Sequence, residues 1–321
     1  MVLPHVTRRT FLRAGASLLG TTVTRGQTPG PPASSRTRLI LLGTAGGPAP
    51  KVIGSAPAQA IVIGDRIYLV DCGDGVARQM ALAKLQFRDL RAIFITHQHS
   101  DHNAGYGPLF LLGWTAGLST VDAYGPRPLE KMTRLLLEAY AFDIETRIAD
   151  EGRPPLAPLI RAHDIAAAGE IFKDDRVKVT TALNRHPPIE HSFAYRFDTA
   201  DRSVVISGDT NYSEAVIALA KGADVLVHEA VYRPYFEAAD APQPRSVRQH
   251  IIASHTHVED VGRVAAAAGV KQLVLSHLVP SAPAGAVSDE QWLAGARKHY
   301  SGPVIIGRDL MELKTIIAFA G

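Results

Sequence analysis

The chain has 321 residues, 46% of them apolar and 20% charged, with a net charge of +3 at pH 7 and one cysteine. These values suit one large globular domain or two small ones, and no apolar run reaches the about 18 residues of a membrane span. The lone Cys72 excludes an internal disulfide framework and a thiolate-rich metal site, so any metal must be held by nitrogen and oxygen.

The positive charge sits at the N terminus. Residues 1–30 carry Arg8, Arg9, Arg13 and Arg25 and no acid, so without them the net charge falls from +3 to −1. The stretch "TRRTFLRAGASLLGTTVT" joins a paired arginine to a short apolar segment, the layout of an export signal. It resembles a bacterial twin-arginine signal, which implies a periplasmic or secreted protein. "GQTPGPPASS" reads as a linker, so residues 1–36 are expected to be signal and linker and 37–321 one folded domain. A near-neutral body offers no basic footprint, which argues against a nucleic-acid partner.

Along the body, short β-branched runs recur: "RLILLG", "QAIVIGD", "IYLVD", "RAIFIT", "RVKVTTAL", "SFAYRF", "SVVIS", "DVLVH", "QLVLS" and "PVIIG". Each is bounded by Gly, Asp or Pro or by a polar residue and predicts a strand. Between them, "GVARQMALAKL", "PLEKMTRLLLEAYAF", "SEAVIALAKG", "VEDVGRVAAAAG" and "DEQWLAGARKHY" have helical spacing, with Gly269 a stop for the fourth. Strands in two batches with helices between them predict a sandwich of sheets covered by helices. "ADEGRPPLAPLIRAHD" is proline-rich and predicts a loop or arm over one edge.

Polar residues gather where these strands end. "RAIFIT" is followed by His97, His99, Asp101 and His102, and "RVKVTTALNR" by His186. Asp209 follows "SVVISG", His228 and Glu229 follow "DVLV", and His277 follows "QLVLS". If those strands lie side by side, all of these groups project from one edge. Imidazole and carboxylate are the ligands of divalent zinc, and two bridged ions need about seven such groups. In an extended segment His97 and His99 point the same way and reach one metal; Asp101 and His102 turn with the chain and serve a second. His5, His163, His250 and His299 read as ordinary solvated or hydrogen-bonded histidines.

"THQHSDH" has the His-x-His-x-Asp-His pattern of the metallo-β-lactamase superfamily, and "RHPP", "SGDT" and "LSH" follow in the order that family shows. "LILLGTAGGPAP", "LVDCGDGVARQM", "VHEAV" and "SHTHVEDVGRVA" resemble the branch holding ribonuclease Z and bacterial arylsulfatases. The resemblance implies a four-layer αββα sandwich over residues 37–321 and a site for two zinc ions, with manganese or iron as substitutes. It places His97, His99 and His186 on one metal, Asp101, His102 and His277 on the other, and Asp209 between them. Asp71 matches a carboxylate that orients a ligand histidine. Asp101 is also expected at the chemistry, and His255, His228 and Glu229 match the segments that carry a proton-shuttling pair. Gln98 stands where iron redox members have Glu, which disfavours electron transfer.

The expected activity is hydrolysis of a small aryl sulfate or phosphate ester by hydroxide activated between two metals. The chain lacks the basic arm of ribonuclease Z and reads "HLVPSAP" after its last histidine, so ribonuclease Z-like phosphodiester cleavage is the alternative. A lactonase or a non-catalytic metal-binding module is a further one, and a homodimer is left open.

Overall fold

The computed structural model describes residues 36–281 and 285–313; the export signal and linker read in residues 1–36 lie outside them but for Arg36. In chain order the first strands are β1 (Thr37–Gly43), β2 (Ala58–Ile63), β3 (Arg66–Val70), β4 (Leu90–Phe94), β5 (Val121–Pro126), β6 (Ile160–Ile165) and β7 (Gly169–Lys173). They are followed by β8 (Val177–Leu183), β9 (Phe193–Thr199), β10 (Ser203–Ile206), β11 (Val225–Val231), β12 (Leu273–Val279), β13 (Val304–Ile306) and β14 (Met311–Leu313).

They form two sheets, ordered β14-β1-β2-β3-β4-β5-β6 and β13-β12-β11-β10-β9-β8-β7. Each sheet has one antiparallel and one parallel half, the parallel pairs being β3–β4, β4–β5 and β5–β6 in one and β10–β11, β11–β12 and β12–β13 in the other. Parallel neighbours put their C-terminal ends on the same edge, where open α/β sheets build their sites.

The layers follow from strands buried on both faces. Leu39 and Leu41 of β1, Ala92 and Phe94 of β4 and Val204 and Ile206 of β10 fill the space between the sheets. Their neighbours Ile40, Leu42 and Ile93 turn outward under the helices Val76–Leu82, Tyr106–Thr115 and Leu129–Ala139. On the other side, Val205, Leu226 and Leu275 meet the helices Glu214–Ala220, Val258–Ala268 and Asp289–Arg297. The result is the αββα order. At its centre Phe94 packs against Tyr124, Phe172, Tyr195 and Phe197 at ring-centroid distances of 5.3–5.8 Å. Truncating Phe94 to alanine there would cost about 3–5 kcal/mol.

The structure differs from the sequence expectation at the less regular elements. Strands β5, β6, β7 and β14 were not anticipated. The proline-rich stretch is irregular only in its middle, because its last residues form the half-exposed edge strand β6. The expected helix over 128–142 breaks at Tyr140, and a second helix, Ala141–Glu151, follows. Among the described residues, no helix is long and apolar enough to cross a membrane.

Candidate metal centre

Beyond β4 the chain stays extended through His99 and then makes one helical turn, Ser100–Asn103. That change of geometry divides the motif. His97 and His99 point one way, and Asp101 and His102 ride on the turn.

The first group is three imidazoles. His99 Nδ1 lies 3.0 Å from His97 Nε2 and 3.2 Å from His186 Nε2. His186 arrives from the loop after β8, and its Nδ1–H donates to the Ser254 carbonyl at 2.9 Å, which leaves Nε2 free for a metal. The second group is Asp101, His102 and His277. His277 Nε2 is 3.3 Å and His102 Nε2 3.7 Å from Asp101 Oδ2. Asp209, after β10, stands between the groups: its Oδ2 is 3.2 Å from His277 Nε2, 3.3 Å from His102 Nε2 and 3.9 Å from His97 Nε2.

Asp71, at the end of β3, fixes both groups from beneath. It accepts His102 Nδ1–H at 2.7 Å, and the Thr96 amide and hydroxyl at 2.8 and 3.0 Å. The Thr96 oxygen lies 3.0 Å from His97 Nδ1, so a single carboxylate orients one imidazole directly and another through a hydroxyl. Asp71 adopts a left-handed φ of 61°, which an aspartate tolerates better than most residues. Two glycines bring backbone close in. A Cβ on Gly46 would lie 2.6 Å from His277 Nδ1, and one on Gly208, before Asp209, 2.7 Å from the Phe193 carbonyl. Beside Gly46, the Gly47 amide donates to Asp101 Oδ2 at 3.0 Å.

The donor set fits divalent metal. His102 Nε2 and Asp209 Oδ1 are buried without hydrogen-bond partners, a state that native structures avoid unless something else satisfies the atom. Burial lowers the pKa of His97 and His99, and lowers that of His186 to about 4, so these three are neutral donors. Around His102 burial also disfavours charge, yet Asp209, Asp71 and Asp101 outweigh it and raise its pKa well above the usual value. Asp209 is displaced the opposite way: burial would raise its pKa, but His277 and His102 hold it well below the carboxylate range.

A proton-holding pair adjoins this centre. Glu229 Oε2 is 3.1 Å from His255 Nδ1, and Glu229 Oε1 accepts the Thr210 and Thr256 amides at 3.0 and 3.2 Å. Burial opposes charge on His255, but Glu229 and Asp209 raise its pKa to about 9. His228 does not join the pair. On β11 adjacent residues face opposite ways, and Leu226, two residues before His228, packs under the helical layer. His228 Nδ1–H donates to the Glu229 carbonyl at 2.7 Å, and no cluster of metal-capable side chains among the described residues includes it. Of the two neighbours expected at the proton shuttle, the structure brings Glu229 to His255 and leaves His228 outside the pair.

Other residues of the sequence also find their place. Gln98 staples the loop, donating to the Pro126 carbonyl at 2.6 Å and accepting from Asn103 at 2.8 Å. His257 caps the helix Val258–Ala268, and Cys72 is fully buried. Thr96, Gly46 and Gly47 were not singled out as site residues. The only signals for them were a strand-end threonine and the paired glycines of "GTAGGP".

The family model of the Beta-lactamase superfamily domain matches residues 66–278. A ribonuclease Z of Mycobacterium sp. (strain KMS) is 33% identical over 279 residues, covering 86% of this chain and 95% of that protein. The chain belongs to the metallo-β-lactamase superfamily, in its ribonuclease Z family. Solved structures carry the same fold. The metallo-β-lactamase fold protein YhfI from Bacillus subtilis superposes with a TM-score of 0.64 at 22% identity, covering 87% of this chain and 100% of its own. Human tRNase Z, short form, does so with 0.62 at 19% identity and the same coverage.

This metallo-β-lactamase-fold chain is therefore a hydrolase acting on ester bonds, and its fold family binds divalent metal. The relatives overturn the expectation of a small aryl sulfate or phosphate ester as substrate, because the curated proteins it matches along nearly their whole length are named ribonuclease Z. They equally overturn the argument against a nucleic-acid partner. That argument used net charge averaged over the chain, whereas cleavage needs positive charge at one phosphodiester, which a metal centre provides locally.

Proposed function

We propose that this protein is a ribonuclease Z-like phosphodiesterase that cleaves RNA. The observation that carries the reading is the 33% match over 95% of a ribonuclease Z. His97, His99 and His186 would hold one divalent ion and Asp101, His102 and His277 a second, with Asp209 shared; the imidazole-rich set favours zinc, with manganese or iron as substitutes. Bound there, the ions supply a nucleophilic hydroxide at neutral pH and neutralise charge on the phosphoryl group.

The chain's own residues do the remaining work. Asp71 and the Ser254 carbonyl lock His102 and His186 in the tautomers that present Nε2. Asp101, fixed by the Gly47 amide, is positioned to accept a proton from the attacking water. His255, kept protonated by Glu229, holds a proton beside the leaving oxygen, and the two backbone amides on Glu229 fix that pair in register. The residue proposed as proton donor is thus not a metal ligand.

The test is cleavage of end-labelled RNA, a tRNA precursor included, by the purified zinc-loaded protein, with chelator as control. Metal-dependent cleavage is expected. Turnover of a bis-aryl phosphate with no RNA cleavage at any concentration would overturn the reading.

We also infer that residues 1–36 are a twin-arginine signal and linker, which places the hydrolase domain, 37–321, in the periplasm or outside the cell. Replacing Arg8 and Arg9 by lysine should leave the precursor in the cytoplasm on fractionation, and unchanged export would refute the signal.

A further inference from the structure

The helix Arg245–Ser254 closes one side of the centre. Val247, His250, Ile251 and Ser254 recur at intervals of three and four and so share one face. That face is turned inward at its end, where the Ser254 side chain is buried and donates to the Pro187 carbonyl. Between it and the metal-ligand side chains lies a cavity of about 240 Å³. One side of the cavity is His99, Asp101, Asp209, His277 and His255; the other is Val247, His250 and Ile251. The His250 ring lies 6.3 Å from His99 and 6.4 Å from His186, centroid to centroid, and Val247 is 42% exposed. Ile251 packs behind against Val231, Phe236 and Val279, which makes the wall firm.

The chemistry of this wall selects its ligand. A phosphoryl group seated at the metals must send one substituent into the cavity, and the surface facing it is aliphatic with a single imidazole plane. A sugar alone would leave hydroxyls unpaired there. An unpaired nucleobase offers an apolar face that stacks on side chains such as histidine. His255, fixed by Glu229 at 3.1 Å, opens into the same cavity, so the substituent sent there is the one whose oxygen lies beside that imidazole, on the leaving side.

We propose that Val247, His250 and Ile251 form a base-recognition wall that receives the unpaired nucleobase of the leaving-side nucleotide. The proposal rests on the phosphodiesterase reading. It makes His250, read from sequence as an ordinary histidine, a specificity-determining residue.

Two oligoribonucleotides test it, identical except that the leaving-side nucleotide carries adenine in one and no base in the other. The zinc-loaded protein should favour the adenine substrate in kcat/KM by about 5- to 150-fold, the span of base–aromatic stacking. In His250→Ala and Val247→Ser the ratio should fall toward one, through KM for the adenine substrate. His250→Phe, which keeps an aromatic plane, should restore it. A ratio that persists in both variants, or an equal loss on both substrates, overturns the wall while leaving RNA cleavage intact. Failure of the unaltered protein to cut either oligonucleotide instead overturns the phosphodiesterase reading, and the wall with it.

Discussion

The two halves of the centre solve one problem with opposite electrostatics. His97, His99 and His186 are three imidazoles whose protons burial removes, so they stand as neutral donors with no ion bound. Asp101, His102 and His277 include a carboxylate and share Asp209, and there His102 carries a proton that the surrounding carboxylates hold. An ion entering the first half displaces nothing, whereas an ion entering the second must displace a proton. The halves are therefore expected to differ in how acid affects them, although Asp209 lies beside both.

Removing the bridge should erase the distinction, with the largest effect. Asp209→Ala takes an anionic ligand from both halves, so metal content and turnover should fall together, turnover by about 10³-fold or more. Retention of two ions by this variant, measured by elemental analysis, would show that Asp209 is no bridge.

His255→Ala should leave both halves filled and lower turnover by about 10²–10⁴-fold, most for poor leaving groups, since a good one departs without a proton. The sign of the pH dependence follows from the raised pKa. His255 is protonated below about 9 and loses its proton as pH rises through that value, so activity should fall on the alkaline side. Glu229→Gln removes the charge that holds the proton, and the alkaline limb should move to lower pH. A limb that stays in place separates the donor from this pair.

Acid should separate the halves directly. The imidazoles with lowered pKa stay neutral as pH falls, while His102, with raised pKa, takes its proton first. Metal content on acidification should pass through a plateau near one ion per chain before reaching none. Simultaneous loss of both ions would break the comparison.

The smallest effect sharpens it. Asp71→Asn removes the acceptor for His102 Nδ1–H, and the affinity of that half should weaken by about 10–100-fold, read by competition with a chelator. His97 feels Asp71 only through Thr96, so its half should weaken less.

Parts of this were legible in the sequence for physical reasons. The LILL run of β1 and the AIVI run of β2 are buried on both faces and unbroken by any polar residue, so they announce themselves. β5 carries Asp122 and ends in Gly125–Pro126, β6 is half exposed, and β14 has three residues, so none shows a period long enough to read. In the site, "HQHSDH" is visible because its ligands are neighbours in sequence. His186, Asp209 and His277 are single residues after strands, and only the family resemblance selected them from thirteen histidines and the other acids. His228 and Glu229 read alike in sequence, but on a strand adjacent residues face opposite ways, so only Glu229 reaches His255. The RNA reading was obscured because charge averaged over a chain does not report charge concentrated at a cleft.

The centre draws its side chains from both sheets, β3 and β4 on one side and the ends of β8, β10 and β12 on the other. Asp101 and His277 meet although they lie 176 positions apart in sequence. Each ion would therefore act as a removable cross-link between the N-terminal and C-terminal halves of the polypeptide, tightening the loop it closes. At a free metal concentration one hundred times its dissociation constant, one such link adds about 2.7 kcal/mol to the resistance of the fold. The same ions that make the protein a catalyst would then set how long it survives heat and proteases, so that metal supply governs its lifetime as well as its rate.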